Sequence, residues 1–448
     1  MKPVRLLIAA ILLAIASGLF WWLNKRGAAA TKSSAATAAT STTTKIVEVP
    51  QDQVQSLTLE KTGSTPVELK KTSGKWSITA PKAFSADQDA VSSVLSPLAA
   101  FTSDKLIEEK GAYLKEFGLA QPSLTVTVTK QDGKTLKLLF GDDTPTSSGT
   151  YVELSGDPRV FVVARYNKSP FEKTADDLRD KRLLTVDSEK LSRVELTAKK
   201  ETIEFGRNKD QWQILKPKPL RADQFAVEDL VRALRDAKMD LSASEDEKKS
   251  SSAFNSGKAV VTAKVTDVST TQELQIRKNK DDYYAKSSAV AGVYKVPSSL
   301  GTSTDKSLAD FRNKKLFDFG FVDPDKIEIH DGAKSYFLTR SGSDWWSNGT
   351  KMDESSVSTV LGAIRDLSAA KFPDSGFTTS AIEVTIVSDS GKRTEKVLIS
   401  KDVDHFVAKR ENEPALYEVA VSAITDLQNS ATGLKPAPAP APAPPKKK

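Results

Sequence analysis

The sequence predicts an α+β protein built of three tandem repeat units, each a mostly antiparallel sheet with two helices, behind a single N-terminal transmembrane helix. Three observations predict it: an apolar run near the N-terminus, one amphipathic helix pattern written three times, and alternating strand-like phrases around each copy. At 448 residues the chain exceeds one ordinary core, because single domains hold roughly 100–200 residues.

Residues 6–23, LLIAAILLAIASGLFWWL, contain no charge and follow Lys2 and Arg5. As a helix this run spans about 27 Å, close to a ~30 Å hydrocarbon core. Trp21 and Trp22 fall where an interfacial aromatic belt sits. A cleaved signal peptide is the competing reading, with Ala28 and Ala30 as small residues for a cut. Against it stand a run longer than the usual ~7–15 residues and the cations Lys25 and Arg26 before any cut. Residues 1–26 therefore read as a cytoplasmic start and anchor, with the body expected on the extracytoplasmic, periplasmic side of the cytoplasmic membrane. Residues 27–45 are mainly Ala, Thr, Ser and Gly and read as a flexible linker.

Val91, Val94, Leu95 and Leu98 occupy one face of a helix, and adding 136 gives Val227, Leu230, Val231 and Leu234. A further 130 gives Val357, Val360, Leu361 and Ile364. A fixed period of this kind marks an internal repeat. Pro97 predicts a kink or early end in the first copy. The units are placed at 46–185, 186–321 and 322–434, the last divergent and shortened. In the first unit SLTLEK, PVELKK and KWSITA precede the helix, and LTVTVTK, KTLKLLF, TYVELS and RVFVVA follow it, all alternating like half-buried strands. A closing helix is expected through Phe171, Ala175 and Leu178. The phrases LRDKRL and FRNKKL read as unit exits, their cations at a helix C-terminus, with Lys181, Arg182, Lys314 and Lys315 solvated or in contacts between units. The third unit lacks the phrase. Residues 435–448 form a Pro-Ala-Lys tail expected to be extended and without a packed core. Its lysines suit anionic head groups, wall polymer, or simple solubility.

Composition narrows the function classes. The absence of cysteine excludes disulfides, thiolate metal sites and a cysteine nucleophile. The formal charge of +7 arises at the ends: ten of the 65 cations lie outside residues 46–434, leaving 55 against 58 acids. No basic face interleaved with aromatics is visible, so nucleic acid is not an expected partner.

Chemistry has few candidates. Asp87, Asp223 and Asp353 precede the three helix faces by four residues each, and an N-cap role accounts for them better than acid catalysis. Glycoside hydrolysis needs a second carboxylate, and none is evident. Trp76, Trp212 and Trp346 read as core anchors rather than sugar platforms. His330 and His405 with Asp331, Asp402 and Asp404 would make a metal site only if two strand ends met, and neither histidine recurs. The stretch GDDTPTSSGTY from Gly141 lacks the ligand spacing of a calcium loop. No catalytic, cofactor-binding or metal residues are assigned, and no cofactor is expected.

From Val54 to Val186 the chain resembles a bacterial envelope family known as domain of unknown function 4340. The likeness rests on WSITAP, ADQDAVSSVLSPLAAF, EFGLAQPSLTVTV, DGKTLKLLFGDDTPTSSGTYV and DDLRDKRLL, in that order. The second unit loses GLAQP and FGDDTP, and the third is more divergent. The resemblance implies a single-anchor envelope protein accompanying gliding-motility-type ABC transport components, and it supplies no catalytic residues. The expected function is thus a non-enzymatic, membrane-anchored extracytoplasmic scaffold or accessory subunit of such a complex. A cell-wall glycan-binding module is the alternative, and a carboxylate-dependent hydrolase the further one.

Overall fold

The computed structural model describes residues 44–242, 247–268, 270–402 and 404–438. The chain divides into two compact units, one ending at Asp180 and the other beginning at Lys181.

In the first unit, β1 (Thr44–Val47) precedes the meander β2 (Val54–Lys61), β3 (Val67–Thr72), β4 (Lys75–Ala80) and β5 (Phe84–Ser85). Helix α1 (Gln88–Leu95) follows, then β6 (Phe101–Ser103), β7 (Lys105–Glu108), β8 (Leu124–Lys130), β9 (Thr135–Asp143), β10 (Gly149–Leu154) and β11 (Val160–Ala164). Nine strands form one sheet in the order β5-β4-β3-β2-β8-β9-β10-β11-β7, and β1 pairs with β6 apart from it. Alternation decides which face is inside: Leu57 and Leu59 lie opposite Val128 and Val126, all four buried, while the threonines between them turn outward. The face Val91, Val94, Leu95 and Leu98 is buried against this sheet. Helix α1 ends at Leu95 and a 3-10 turn takes over from Ser96 to Ala100, because Pro97 has no N–H to continue the ladder.

The second unit holds the other two repeats. In one, β12 (Arg193–Ala198), β13 (Glu201–Asn208), β14 (Gln211–Lys216) and β15 (Leu220–Arg221) lead into α4 (Gln224–Arg235), α2 and α3 having closed the first repeat as described below. After α5 (Glu247–Ser256) come β16 (Lys258–Thr266), β17 (Thr271–Asn279), β18 (Asp282–Ser287), β19 (Val293–Val296), α6 (Ser298–Thr304) and α7 (Leu308–Phe311). The last repeat runs β20 (Lys326–Asp331), β21 (Lys334–Ser341), β22 (Asp344–Ser347), β23 (Thr350–Lys351) and α8 (Glu354–Asp366). It continues with β24 (Ala369–Lys371), β25 (Ile382–Ser388), β26 (Arg393–Lys401), β27 (Phe406–Arg410), β28 (Leu416–Val419) and α9 (Val421–Thr432). The eight-stranded order β15-β14-β13-β12-β16-β17-β18-β19 and the nine-stranded order β23-β22-β21-β20-β25-β26-β27-β28-β24 repeat the first topology, and one hydrophobic core runs through both. In α4 Val227, Leu230, Val231 and Leu234 are all buried. At about 1.5–3 kcal/mol for each fully buried aliphatic side chain, that face outweighs differences in helix propensity.

Two expectations need correction. Among the described residues the structure holds four antiparallel sheets and nine helices, and none of these helices is long and apolar enough to cross a membrane. The span expected at residues 6–23 lies outside the described residues, as do residues 27–43 and the tail from 439. Nor does each repeat carry two helices. In the first, the closing helix is broken into α2 (Arg165–Lys168), a 3-10 turn at Ser169–Phe171 and α3 (Ala175–Leu178), because Pro170 interrupts it and Thr174 restarts it. Among the described residues the second repeat has four helices and the third two.

The short α3 and α7 are held by capping boxes: Thr174 with Asp177, and Ser307 with Asp310. Hydrogen bonds from the Ser307 hydroxyl and amide keep the Asp310 carboxyl below the usual carboxylate range. A depressed folded-state value contributes stability above the unfolded value that is lost as pH falls through the folded one. Asp310→Asn should therefore lower the melting temperature at neutral pH, and the difference from wild type should vanish in acid below the carboxylate range.

Candidate functional site

The exit phrases are extended chain, not helix ends. Helix α3 stops at Leu178 and Arg179 is already in the β region, as is Arg312 after α7. Their cations therefore do not complete a helix dipole. Arg179 is buried with its guanidinium 3.8 Å from the Phe84 ring centre, and Arg312 sits 3.6 Å from that of Phe372.

Each phrase has two halves that pair with different helix ends. In the first unit the Asp87 amide donates to the Leu178 carbonyl at 2.8 Å and the Asp180 amide to Ser85 at 2.8 Å. In the second unit Asp223 donates to Phe311 at 2.8 Å and Asn313 to Arg221 at 3.0 Å, while Asp353 donates to Lys435 and Ala437 to Lys351, both at 2.9 Å. The third repeat lacks the phrase, yet Lys435–Ala437 keep its backbone role. The later half then runs alongside the segment after the next helix: Leu183 donates to Ala237 at 2.9 Å, and Leu316 to Leu367 at 3.1 Å. In the first unit β1 does the same, with Lys45 opposite Thr102. KIVEV from Lys45, RLLTV from Arg182 and KLFDF from Lys315 are thus one structural word, which the sequence reading missed at its first occurrence.

The later half is also pinned by the strands it crosses. In the second repeat the Ser287 hydroxyl donates to the Leu183 carbonyl, and the Gln272 amide oxygen accepts from the Thr185 N–H at 2.8 Å. In the third, Arg410 donates to the Leu316 carbonyl, and a Glu395 oxygen accepts from the Asp318 N–H at 3.1 Å. The backbone targets are equivalent, but the neutral pair has become charged.

Around that charged pair lies the densest ionic cluster described. Arg410 Nη2 is 3.0 Å from Glu395 and Nε 2.7 Å from Glu413. Arg221, from the second repeat, reaches Asp318 at 2.6 Å, Glu413 at 2.9 Å and the Lys315 carbonyl at 2.6 Å. The Tyr417 hydroxyl donates to Glu413 at 2.8 Å, and Arg393 approaches Glu395 at 3.2 Å. Burial alone would pull the Arg221 guanidinium down, but the facing Tyr417, Asp318 and Glu413 carry it above its ordinary value. Burial lowers Arg312 and raises Tyr417. The cluster joins the second repeat to the third.

The sequence candidates are spent individually. Asp87 accepts from the amides of Asp89 and Ala90, Asp223 from Ala226, and Asp353 from Ser356, each capping its helix. Trp76 and Trp212 are buried, each clamped by a glutamine beside the cap. The Gln88 amide oxygen accepts from Trp76 N–H at 2.8 Å and its nitrogen donates to the Trp76 carbonyl at 3.0 Å; Gln224 serves Trp212 at 2.8 Å both ways. Gln224→Leu leaves both Trp212 backbone groups without these partners and should cost about 1–3 kcal/mol in denaturant melts. In the third repeat the buried tryptophan is Trp345; Trp346 is 38% exposed, since successive strand residues face opposite ways. His330 bonds Ser335 and His405 bonds Asp404, both at 2.9 Å, each within its own hairpin. Asp331 accepts instead from Gln428. Among the described residues, no group of three or more His, Asp or Glu side chains is arranged to hold a metal.

GLAQP and FGDDTP prove to be two sides of one contact in the first repeat. The Asp142 N–H donates to the Phe117 carbonyl at 2.9 Å, and the Phe117 ring packs at a tilt against Tyr151, 4.7 Å between ring centres. A Cβ on Gly141 would fall 2.0 Å from the Phe117 oxygen, and one on Gly118 would fall 2.6 Å from the Asp142 side chain. The second unit lacks both phrases, and with them both sides of this contact.

A family described only as a domain of unknown function, DUF4340, matches residues 76–219 and again 212–389. The chain belongs to the DUF4340 family. The two matches start at the equivalent tryptophans, Trp76 and Trp212, and each contains one exit phrase. The DUF4340 pattern is thus written across a handover between sheets, and it extends beyond the first repeat into the other two. No curated protein and no solved structure matches the chain.

Proposed function

We propose that this DUF4340 protein is a non-enzymatic scaffold or accessory subunit on the extracytoplasmic side of the envelope, binding protein partners of an ABC-type transport or motility-associated complex. The observation that carries the reading is where the charge goes: Arg221, Asp318, Glu395, Arg410 and Glu413 join two repeats, and Asp87, Asp223 and Asp353 cap helices. The envelope and transport association comes from the family resemblance. In-cell crosslinking of the full chain followed by purification tests it. Enrichment of a permease and its ATPase over a chain lacking residues 46–434 supports the proposal, and no enrichment removes it.

A wall-glycan module is the second reading, favoured by Trp346. Trp346 lies opposite Thr339 on the solvent face of the third sheet, and the 37% exposed Phe337 is its diagonal neighbour. Sugar rings stack on such surfaces. Sedimentation with purified wall polymer should then bring the protein down, and Trp346→Ala should release it.

A further inference from the structure

We infer that copies of this chain associate head to tail, the first repeat of one copy seated on the third repeat of another. The observation is a pair of equivalent grooves, each between the helix after the first meander and the helix that follows the last strand of its repeat, with opposite charge. In the third repeat α8 and α9 leave a groove of about 620 Å³, floored by Gly362, Ala363 and Ala423 and rimmed by Asp366 and Asp426. In the first repeat α1 and α2 border a groove of about 570 Å³ rimmed by Arg165 and Lys173. Tyr166 stands at that second groove and is 73% exposed.

The small residues of the third repeat leave room for a ring, and the two rims complement each other in charge. Part of that charge is shared within the chain, since Arg165 lies 3.7 Å from Asp143 and Asp366 3.9 Å from Lys315. Lys173 and Asp426 form no ion pair among the described residues, so they set the polarity of the contact. Two acidic rims would repel, so the occupant of the third-repeat groove is the basic rim of a second copy, with Tyr166 as the knob. Such a contact is heterologous, joining two different surfaces of the same chain. It does not depend on the partner proposed above.

The chain has no cysteine, so introduced thiols report only on this contact. Ser169→Cys and Asn429→Cys, made in separately tagged full-length copies and mixed under mild oxidation, should yield a mixed disulfide dimer severalfold above either homodimer. A Ser252→Cys copy provides the background. Adding Tyr166→Ser to the first copy should return the yield to that background while its melting curve is unchanged. A mixed yield no greater than background, one indifferent to Tyr166→Ser, or cross-linking only within a chain carrying both cysteines overturns the inference.

Discussion

Arg410→Met is expected to destabilise the second compact unit by about 3–5 kcal/mol, the usual cost of removing one partner from a buried ion pair. Glu395 is 5% exposed, and one of its oxygens already lacks a hydrogen-bond partner. Without Arg410 it keeps only Arg393, whose side chain is 44% exposed, and the Asp318 N–H. The Leu316 carbonyl loses its donor in the same step. Denaturant unfolding followed by tryptophan fluorescence, which Trp212 and Trp345 report from the core of this unit, measures the loss. Adding Glu395→Gln to Arg410→Met should restore part of it, because the stranded charge is then gone. The second repeat already uses Gln272 and Ser287 for these tasks. If both single substitutions cost nothing and show no coupling, the ionic joint contributes only specificity.

Gly141→Ala should destabilise the first compact unit by several kcal/mol, at or above the ~1–3 kcal/mol typical of overpacking. The new methyl meets a backbone oxygen at 2.0 Å, and a carbonyl cannot rotate away like a flexible side chain. Relief requires lifting the Phe117 segment from the sheet, which breaks the Asp142 bond and the Tyr151 ring contact. Hydrogen exchange should show residues 113–121 losing protection before the strands beneath. Gly133→Ala is the control: its positive φ of 81° costs something, but nothing lies within 4 Å of its Cβ.

Periodicity carried the fold where neighbours in sequence are neighbours in space. The faces at Val91, Val227 and Val357, the caps at Asp87, Asp223 and Asp353, and the strand from Leu124 were readable because helix and strand periods are local properties. The joint was not readable. Arg221 and Tyr417 are 196 residues apart, and nothing near either indicates the other. The exit phrases, with Arg179 and Arg312, read as helix ends whose cations complete a dipole, because a cation just after a short apolar-ended helix fits that rule locally. Only tertiary structure places Phe84 and Phe372 beneath them. The doublet Trp345-Trp346 was misassigned by one residue, and in a strand one residue reverses the face. Gln88 and Gln224 did leave a signal, the repeated Ala-Asp-Gln at 86–88 and 222–224, but an uncharged amide does not stand out among ionisable candidates.

The two-sided pairing of the exit phrases also sets where this chain can be divided. A cut before Val186 or Val322 severs the extended half-phrase from the repeat that pairs with it, removing the bonds from Leu183 to Ala237 or from Leu316 to Leu367. A cut between Asp180 and Lys181, or between Asn313 and Lys314, leaves each half-phrase with its own hydrogen-bond partners. The heritable cassette is therefore a permuted one, running from mid-phrase to mid-phrase. Duplicating it would add a repeat whose incoming and outgoing backbone pairings were already matched, leaving side-chain joints such as Arg221 with Asp318 to be rebuilt at the new boundary.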